Sequence, residues 1–207
     1  MKPYGYIFVT FLIVLAGCLS EKKVVRRYYT LEIPAGKITA SADTAFRIKG
    51  NCEVEQVIVN MIYDKNQIVN RAGSNEISYY IYNQWAVRPS DAITSIIKEY
   101  LGTAGLFEQT SDRYDRLVPD FKLRTSVNSL ELIETKKSSI AHLNLEFRLI
   151  DNSDGRVILN HRADRENPLE ENNLNIFSGE ISKMLLEEFD IFTGMIADKR
   201  TLLSGKP

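Results

Sequence analysis

The residues able to do chemistry are few, and their spacing limits what they can do. Two cysteines occur, Cys18 and Cys52, with two histidines, His142 and His161, and two adjacent carboxylate pairs, Glu170-Glu171 and Glu187-Glu188. No G-x-S-x-G elbow, P-loop, H-E-x-x-H, C-x-x-C or G-x-G-x-x-G occurs. The histidines fall on neighbouring strand candidates, close enough to approach each other, but no further ligands stand at metal-site spacing. They are expected as surface strand residues. Glu187 and Glu188 lie on a helix, where sequence neighbours point about 100° apart, so they are expected as solvated charges. No catalytic residue, metal site or cofactor is assigned. Tyr79, Tyr80, Tyr82 and Trp85 form an aromatic group suited to sheet-face packing or to a binding surface.

Cys18 ends a segment with a purpose of its own. Residues 1–18 read MKPYGYIFVTFLIVLAGC: Lys2, an apolar run from Tyr4 to Val14, then small residues before the cysteine. This is the layout of an export signal. The 14 residues from Tyr4 to Gly17 span about 21 Å as a helix, short of a bilayer core of about 30 Å. Leu15-Ala16-Gly17-Cys18 resembles the lipobox of bacterial lipoproteins. That resemblance implies cleavage between Gly17 and Cys18, a diacylglyceryl group on the thiol and acylation of the new amine, anchoring the chain to a membrane. An uncut anchor, or cleavage leaving a free thiol, is the alternative. Leu19 stands where many inner-membrane lipoproteins carry Asp, so the sorting rule favours the periplasmic face of the outer membrane over the inner membrane. Cys52 then lacks an intramolecular partner and is expected as a small buried strand residue.

Charge excludes one class of partner. The chain has 26 Lys plus Arg against 27 Asp plus Glu, and residues 1–17 contain only Lys2, so the mature chain carries −2. No global basic field exists to hold nucleic acid. The stretch LSEKKVVRR after Cys18 carries four cations that suit either a solvated tether or anionic headgroups.

Stepping along residues 28–200, periodicity predicts strands at Tyr28–Leu31, Ala45–Gly50 and Val54–Tyr63, and a hairpin of Gln67–Arg71 with Ile77–Tyr82 about the turn Ala72–Asn75. Pro89 opens a helix whose stripe is Ile93, Ile96, Ile97, Tyr100 and Leu101, ended by Gly102 and Gly105. Phe121–Ile133 and Ile140–Ile150 form a strand pair, with Leu143, Leu145, Phe147 and Leu149 on one face and His142, Asn144, Glu146 and Arg148 on the other. Asn152–Gly155 turns the chain into a strand at Arg156–Arg162, and Leu174, Phe177, Ile181, Leu185, Phe189, Phe192 and Ile196 mark a long amphipathic helix. The expected fold is an α+β two-layer sandwich, a mainly antiparallel sheet with two amphipathic helices on one face. The expected boundaries are a signal peptide at 1–17, a lipid-anchored tether at 18–27, a domain at 28–200 and a flexible tail at 201–207.

The stretch Ile77–Phe107, ISYYIYNQWAVRPSDAITSIIKEYLGTAGLF, resembles the ABC-type transport auxiliary lipoproteins, which include paraquat-inducible protein C. Members follow a lipobox with a Tyr-Tyr-x-Leu strand, here Tyr28, Tyr29 and Leu31. A strand of tyrosines and a Trp then precedes a Pro-started helix, here Tyr79, Tyr80, Trp85 and Pro89, closed by Gly105 and Phe107. The likeness runs over nearly the whole mature chain but departs at Ile48–Asp64, where the family's Pro-containing segment is not found. It implies a non-enzymatic auxiliary of an ABC transporter that moves phospholipid or another hydrophobic solute between membranes. Its partners would be an MCE-domain periplasmic protein and the permease and ATPase, with self-association left open. A pilotin-like or outer-membrane assembly lipoprotein is the main alternative; a lipid-anchored hydrolase and a solute-binding lipoprotein are lesser ones.

Overall fold

The computed structural model describes residues 25–34, 47–112, 115, 118–135, 138–199 and 203. Residues 1–24, with Gly17 and Cys18, lie outside them, as do positions 45 and 46 of the first expected inner strand.

One long strand organises the sheet. β7 (Phe121–Glu134) pairs antiparallel along its whole length with β8 (Ser139–Asp151), which pairs antiparallel with β9 (Val157–Leu169). The other edge of β7 is shared by three short parallel strands in succession. β2 (Ile48–Val54) meets residues 121–123, β3 (Ile58–Val59) residues 126–127, and β4 (Gln67–Arg71) residues 132–133. β6 (Phe107–Asp112) adds parallel to β2; β5 (Ile77–Trp85) adds antiparallel to β4, and β1 (Arg27–Tyr29) adds parallel to β5. The sheet is therefore mixed. Its long strands are antiparallel, as expected, while the short ones join in parallel.

Helices α1 (Pro89–Ala104) and α2 (Leu174–Asp198) cover one face. Ala141, Leu143, Leu145, Phe147 and Leu149 of β8 are buried beneath them. Phe147 lies 5.2 Å from Phe189 and 5.4 Å from Phe192 between ring centroids, the centre of the core. All seven residues of the predicted α2 stripe are buried. The helices touch where Tyr100 meets Phe189 edge-on at 5.0 Å. Gly105, at φ 62°, caps α1 and donates its N–H to Leu101 O at 3.1 Å, a left-handed position that suits glycine. Gly102 lies inside the helix rather than ending it. Leu203, within the expected tail, is buried against the core.

The expected strand Val54–Tyr63 is broken. Val54 and Ile58 pair with Leu123 and Ser126, four steps on one strand against three on the other, so a bulge separates β2 from β3. At the bulge the N–H of Val57 leaves the sheet and donates to Thr94 Oγ1 of α1 at 2.9 Å. Beyond Val59 the chain turns, with Asp64 N bonded to Asn60 O at 3.0 Å. Asp64 then accepts from the N–H of Ser90 at 3.2 Å and from Arg88 at 2.6 Å, serving as a cap for α1 from outside the helix. Sequence reasoning also missed β6 and ended β9 seven residues early.

Thr94→Val keeps the shape of the side chain but removes the acceptor for a buried N–H. It is expected to cost about 1–3 kcal/mol, read as a lowered urea midpoint with unchanged m value.

Candidate functional site

Two places gather functional side chains: the N-terminal strand with its surroundings, and the polar face of the sheet. At the first, β1 runs beside the end of β5, pairing Tyr28 with Gln84 and Tyr29 with Trp85. Ala86 N donates to Tyr29 O at 2.8 Å, and Tyr29 Oη donates to Asn83 Oδ1 at 3.3 Å. Residues 30–33 then pass between the helices: Leu31 is buried, and the N–H of Glu32 donates to Ser182 Oγ of α2 at 3.1 Å. Trp85 is fully buried, its ring 5.9 Å from Phe177 of α2, and Pro89 is buried at the start of α1. Sheet, both helices and N-terminal segment thus meet at one point.

A cavity opens on either side of that segment. One, of about 710 Å³, lies toward α2 and is lined by Arg27, Tyr28, Tyr29, Ser178 and Ser182. The other, of about 440 Å³, lies toward α1 and is more apolar, lined by Leu31, Ile33, Val87, Ala92 and Ile96, with Glu99 also on its wall.

The residues singled out in the sequence divide into two groups. Tyr28, Tyr29, Leu31, Trp85 and Pro89 come together at this clamp. Gly105 and Phe107 stand at the other end of α1, where Phe107 packs 5.6 Å from Phe121. Tyr79 and Tyr80 are half-buried on β5. Lys65 Nζ lies 4.6 Å over the Tyr79 ring, and Tyr80 Oη donates to Glu134 at 2.9 Å. Burial first, then the Glu134 hydrogen bond, pushes the Tyr80 hydroxyl well above its usual range. Cys52 is fully buried in β2, and loss of solvation pushes its thiol far above the ordinary value, which leaves it unreactive.

On the polar face a charged group gathers that the sequence did not reveal. Glu131 of β7, its side chain 2% exposed, accepts from Arg71 Nε at 2.8 Å and Tyr63 Oη at 2.9 Å, and its Oε1 lies 3.1 Å from His142 Nδ1. The other ring nitrogen of His142 lies 2.9 Å from Asp164 of β9. With a carboxylate at each nitrogen, the imidazole is raised above its ordinary value, chiefly through Glu131 against the opposing effect of burial. Burial alone would raise Glu131; the bonds from His142, Arg71 and Tyr63 together outweigh it and hold the carboxyl at about 2. Two carboxylates, one guanidinium and one imidazolium balance, an arrangement that joins strands rather than one poised to take a proton from a nucleophile.

His161 does not approach His142. It lies on the helix side of the sheet, stacked on Phe147, with Nε2 2.8 Å from Glu188, which also accepts from Arg165 at 2.6 Å. Both histidines thus contact carboxylates and are largely buried rather than free on the surface. Glu188 is likewise a buried tie between α2 and β9, not a solvated helix charge. Glu170 and Glu171 are exposed. Among the described residues no group of three or more His, Cys, Asp or Glu is placed to hold a metal, and no helix is long and apolar enough to cross a membrane.

The two shifts around Glu131 have opposite signs. Its depressed carboxyl contributes stability above pH 4.5 that is lost as pH falls toward 2. The raised His142 contributes below pH 6.5, a contribution lost as pH rises through its folded value. Glu131→Gln is expected to cost about 3 kcal/mol near neutrality and to flatten the acid limb. Urea midpoints measured from pH 3 to 8 check both effects; a variant as stable as the parent would remove the charged group from the account.

In fold the chain is similar to protein XCC0632 from Xanthomonas campestris, at 16% identity and a TM-score of 0.66, over 80% of this chain and 96% of that one. A second crystal structure, of an uncharacterized protein, is 14% identical with a TM-score of 0.61, over 83% and 99%. The hypothetical protein CT253 from Chlamydia trachomatis is 10% identical with a TM-score of 0.51, over 73% and 98%. These likenesses concern the fold alone. No curated protein matches in sequence. The family model described as ABC-type transport auxiliary lipoprotein component matches residues 29–176, from the end of β1 through the charged group at Glu131 into the first turn of α2. By that match the chain belongs to the ABC-type transport auxiliary lipoprotein component family.

Proposed function

We propose that this chain is exported, cut between Gly17 and Cys18 and acylated on Cys18. It then serves as the membrane-anchored docking component of an MCE-associated transporter for phospholipid or a similar hydrophobic solute. The observation that carries the reading is the family match, which begins at Tyr29, only 11 residues beyond a cysteine at the end of an export-type segment. Each buried methylene contributes about 0.8 kcal/mol, so two or three acyl chains hold such a domain firmly. Leu19 favours delivery to the periplasmic face of the outer membrane. In this role the chain meets an MCE-domain protein, while a permease and ATPase supply the energy elsewhere.

The internally paired charges support a docking role over hydrolysis: both histidines and the buried Glu131 and Glu188 are spent on ties between strands and helix. Docking to a partner strand suits the outer edges of β9 and β6, which pair with no further strand among the described residues.

Two measurements test the proposal. Intact mass of the chain extracted from membranes is expected to show residues 18–207 with a diacylglyceryl thioether and an added N-acyl group. Cys18→Ser is expected to abolish both the modification and membrane retention; an unmodified thiol at Cys18 would refute the anchor. Affinity purification of the lipidated chain is expected to recover an MCE-domain protein or an ABC permease. Recovery of a secretion or β-barrel assembly component instead would overturn the transport reading.

A further inference from the structure

The edge formed by β1 and the middle of β5 has a composition unlike the rest of the surface. Val25 and Ile81 are each 68% exposed, Tyr28 59% and Tyr82 47%. Register brings them near one another: Arg27 pairs with Asn83 and Tyr28 with Gln84, so Val25 and Arg26 lead into β1 at the level where Ile81 and Tyr82 lead up to Asn83 on β5. Ile81 and Tyr82 project there because β5 is irregular against β4. Gln67 pairs with Gln84, yet Val69 pairs with Tyr79, which leaves Tyr80–Asn83 in a bulge fastened by Gln84 Nε2 donating to Ile81 O at 3.0 Å.

The charges at this edge run one way. Residues 25–31 include Arg26 and Arg27, both exposed, and no carboxylate; Ile77–Trp85 carries no charged side chain. The exposed tyrosine and aliphatic side chains here therefore stand beside two arginines, with Ser78, Asn83 and Gln84 as neutral polar neighbours and Glu32 as the nearest carboxylate further along the N-terminal segment. Tyrosine and aliphatic groups beside arginines suit the boundary between headgroups and acyl chains of an anionic bilayer.

Chain length fixes where that boundary is. Val25 stands seven residues beyond Cys18, so a fully extended tether reaches at most about 25 Å. The edge lies at the end of the domain where the tether enters, and it is held within that distance of any lipid attached to Cys18.

We propose that the β1–β5 edge is a membrane seat: Val25, Tyr28, Ile81 and Tyr82 insert at the headgroup boundary while Arg26 and Arg27 meet lipid phosphates. The tethered domain then lies on the bilayer in one orientation, with β9 at the opposite edge of the sheet turned away. This inference rests on lipidation of Cys18, and its test separates the two.

The full lipidated chain is reconstituted in vesicles of phosphatidylethanolamine and phosphatidylglycerol. A spin label is placed at Ile81→Cys, at Tyr82→Cys or, for reference, at Val157→Cys of β9; Cys52 is buried and does not compete. Collisions with oxygen, which partitions into lipid, are compared with collisions with a water-soluble nickel chelate. The seat predicts frequent oxygen and rare nickel collisions at positions 81 and 82, with the reverse at 157. Protein that does not float with the vesicles refutes the anchor itself. Floating protein whose labels at 81 and 82 meet nickel as often as that at 157 leaves the anchor standing and overturns the seat. Labels shielded from both reagents overturn it in favour of a protein covering this edge.

Discussion

Everything in this fold depends on β7 having partners on both edges. A strand of 14 residues presents a long row of donors and acceptors on each side, and those turned inward cannot go unpaired. β8 satisfies one row with a single hairpin partner. The other row is filled in instalments by β2, β3 and β4, as the chain crosses its length in parallel and leaves the sheet between each pairing. Those departures place the bulge at Val57 against Thr94, and Asp64 at the start of α1. Helix α1 is therefore positioned by the way β7 is completed, and α2 by the phenylalanines of the sheet it covers.

The two faces of that sheet solve different problems. The helix face buries Phe147 with Phe189 and Phe192, where burial and ring packing supply the stability. The opposite face is polar and lies on strands that the core pulls close together, so its charges are partly desolvated and must be paired. Glu131 and Glu146 meet that demand differently. Glu131 joins β4, β7 and β8 through Arg71 and His142. Glu146 takes Arg148 within its own strand and Arg162 from β9, which bring it down to about 2 against burial.

What the sequence revealed follows from which of these forces leaves a period. The stripe of α2, the alternation in β8 and the Pro-started α1 were legible, because one-sided burial writes a repeat of 3.6 or 2 residues. Breaks and extensions were not. Nothing in Glu55-Gln56-Val57 announces that an N–H will turn to a helix hydroxyl. β6 reads as a polar segment, FEQTSD, because it lies at an edge where only Phe107 and Ser111 are buried. β9 continues past Arg162 because its helix-facing positions are filled by His161 and Arg165 bound to Glu188, an ion-paired stand-in for hydrophobic alternation. The clamp residues were recognised by resemblance, but the charged group at Glu131 was not, since its members Tyr63, Arg71, His142 and Asp164 are distant in the chain and meet only through strand register.

The clamp also accounts for a signature made of aromatics and apolar spacing rather than reactive side chains. The N-terminal segment enters the domain at β1, a strand of three residues whose own pairing is slight. Left to that pairing it would peel from the edge of the sheet. Burial of Leu31, the bond from Glu32 to Ser182 and the seating of Tyr29 beside Trp85 tie β1 into the core between both helices. Trp85 is the joint, since its ring meets Phe177 of α2 while its strand ends four residues before α1 begins. Of the residues by which the resemblance is carried, Tyr29, Leu31, Trp85 and Pro89 thus fasten the folded domain to its own N-terminal strand, while Gly105 and Phe107 finish the far end of α1.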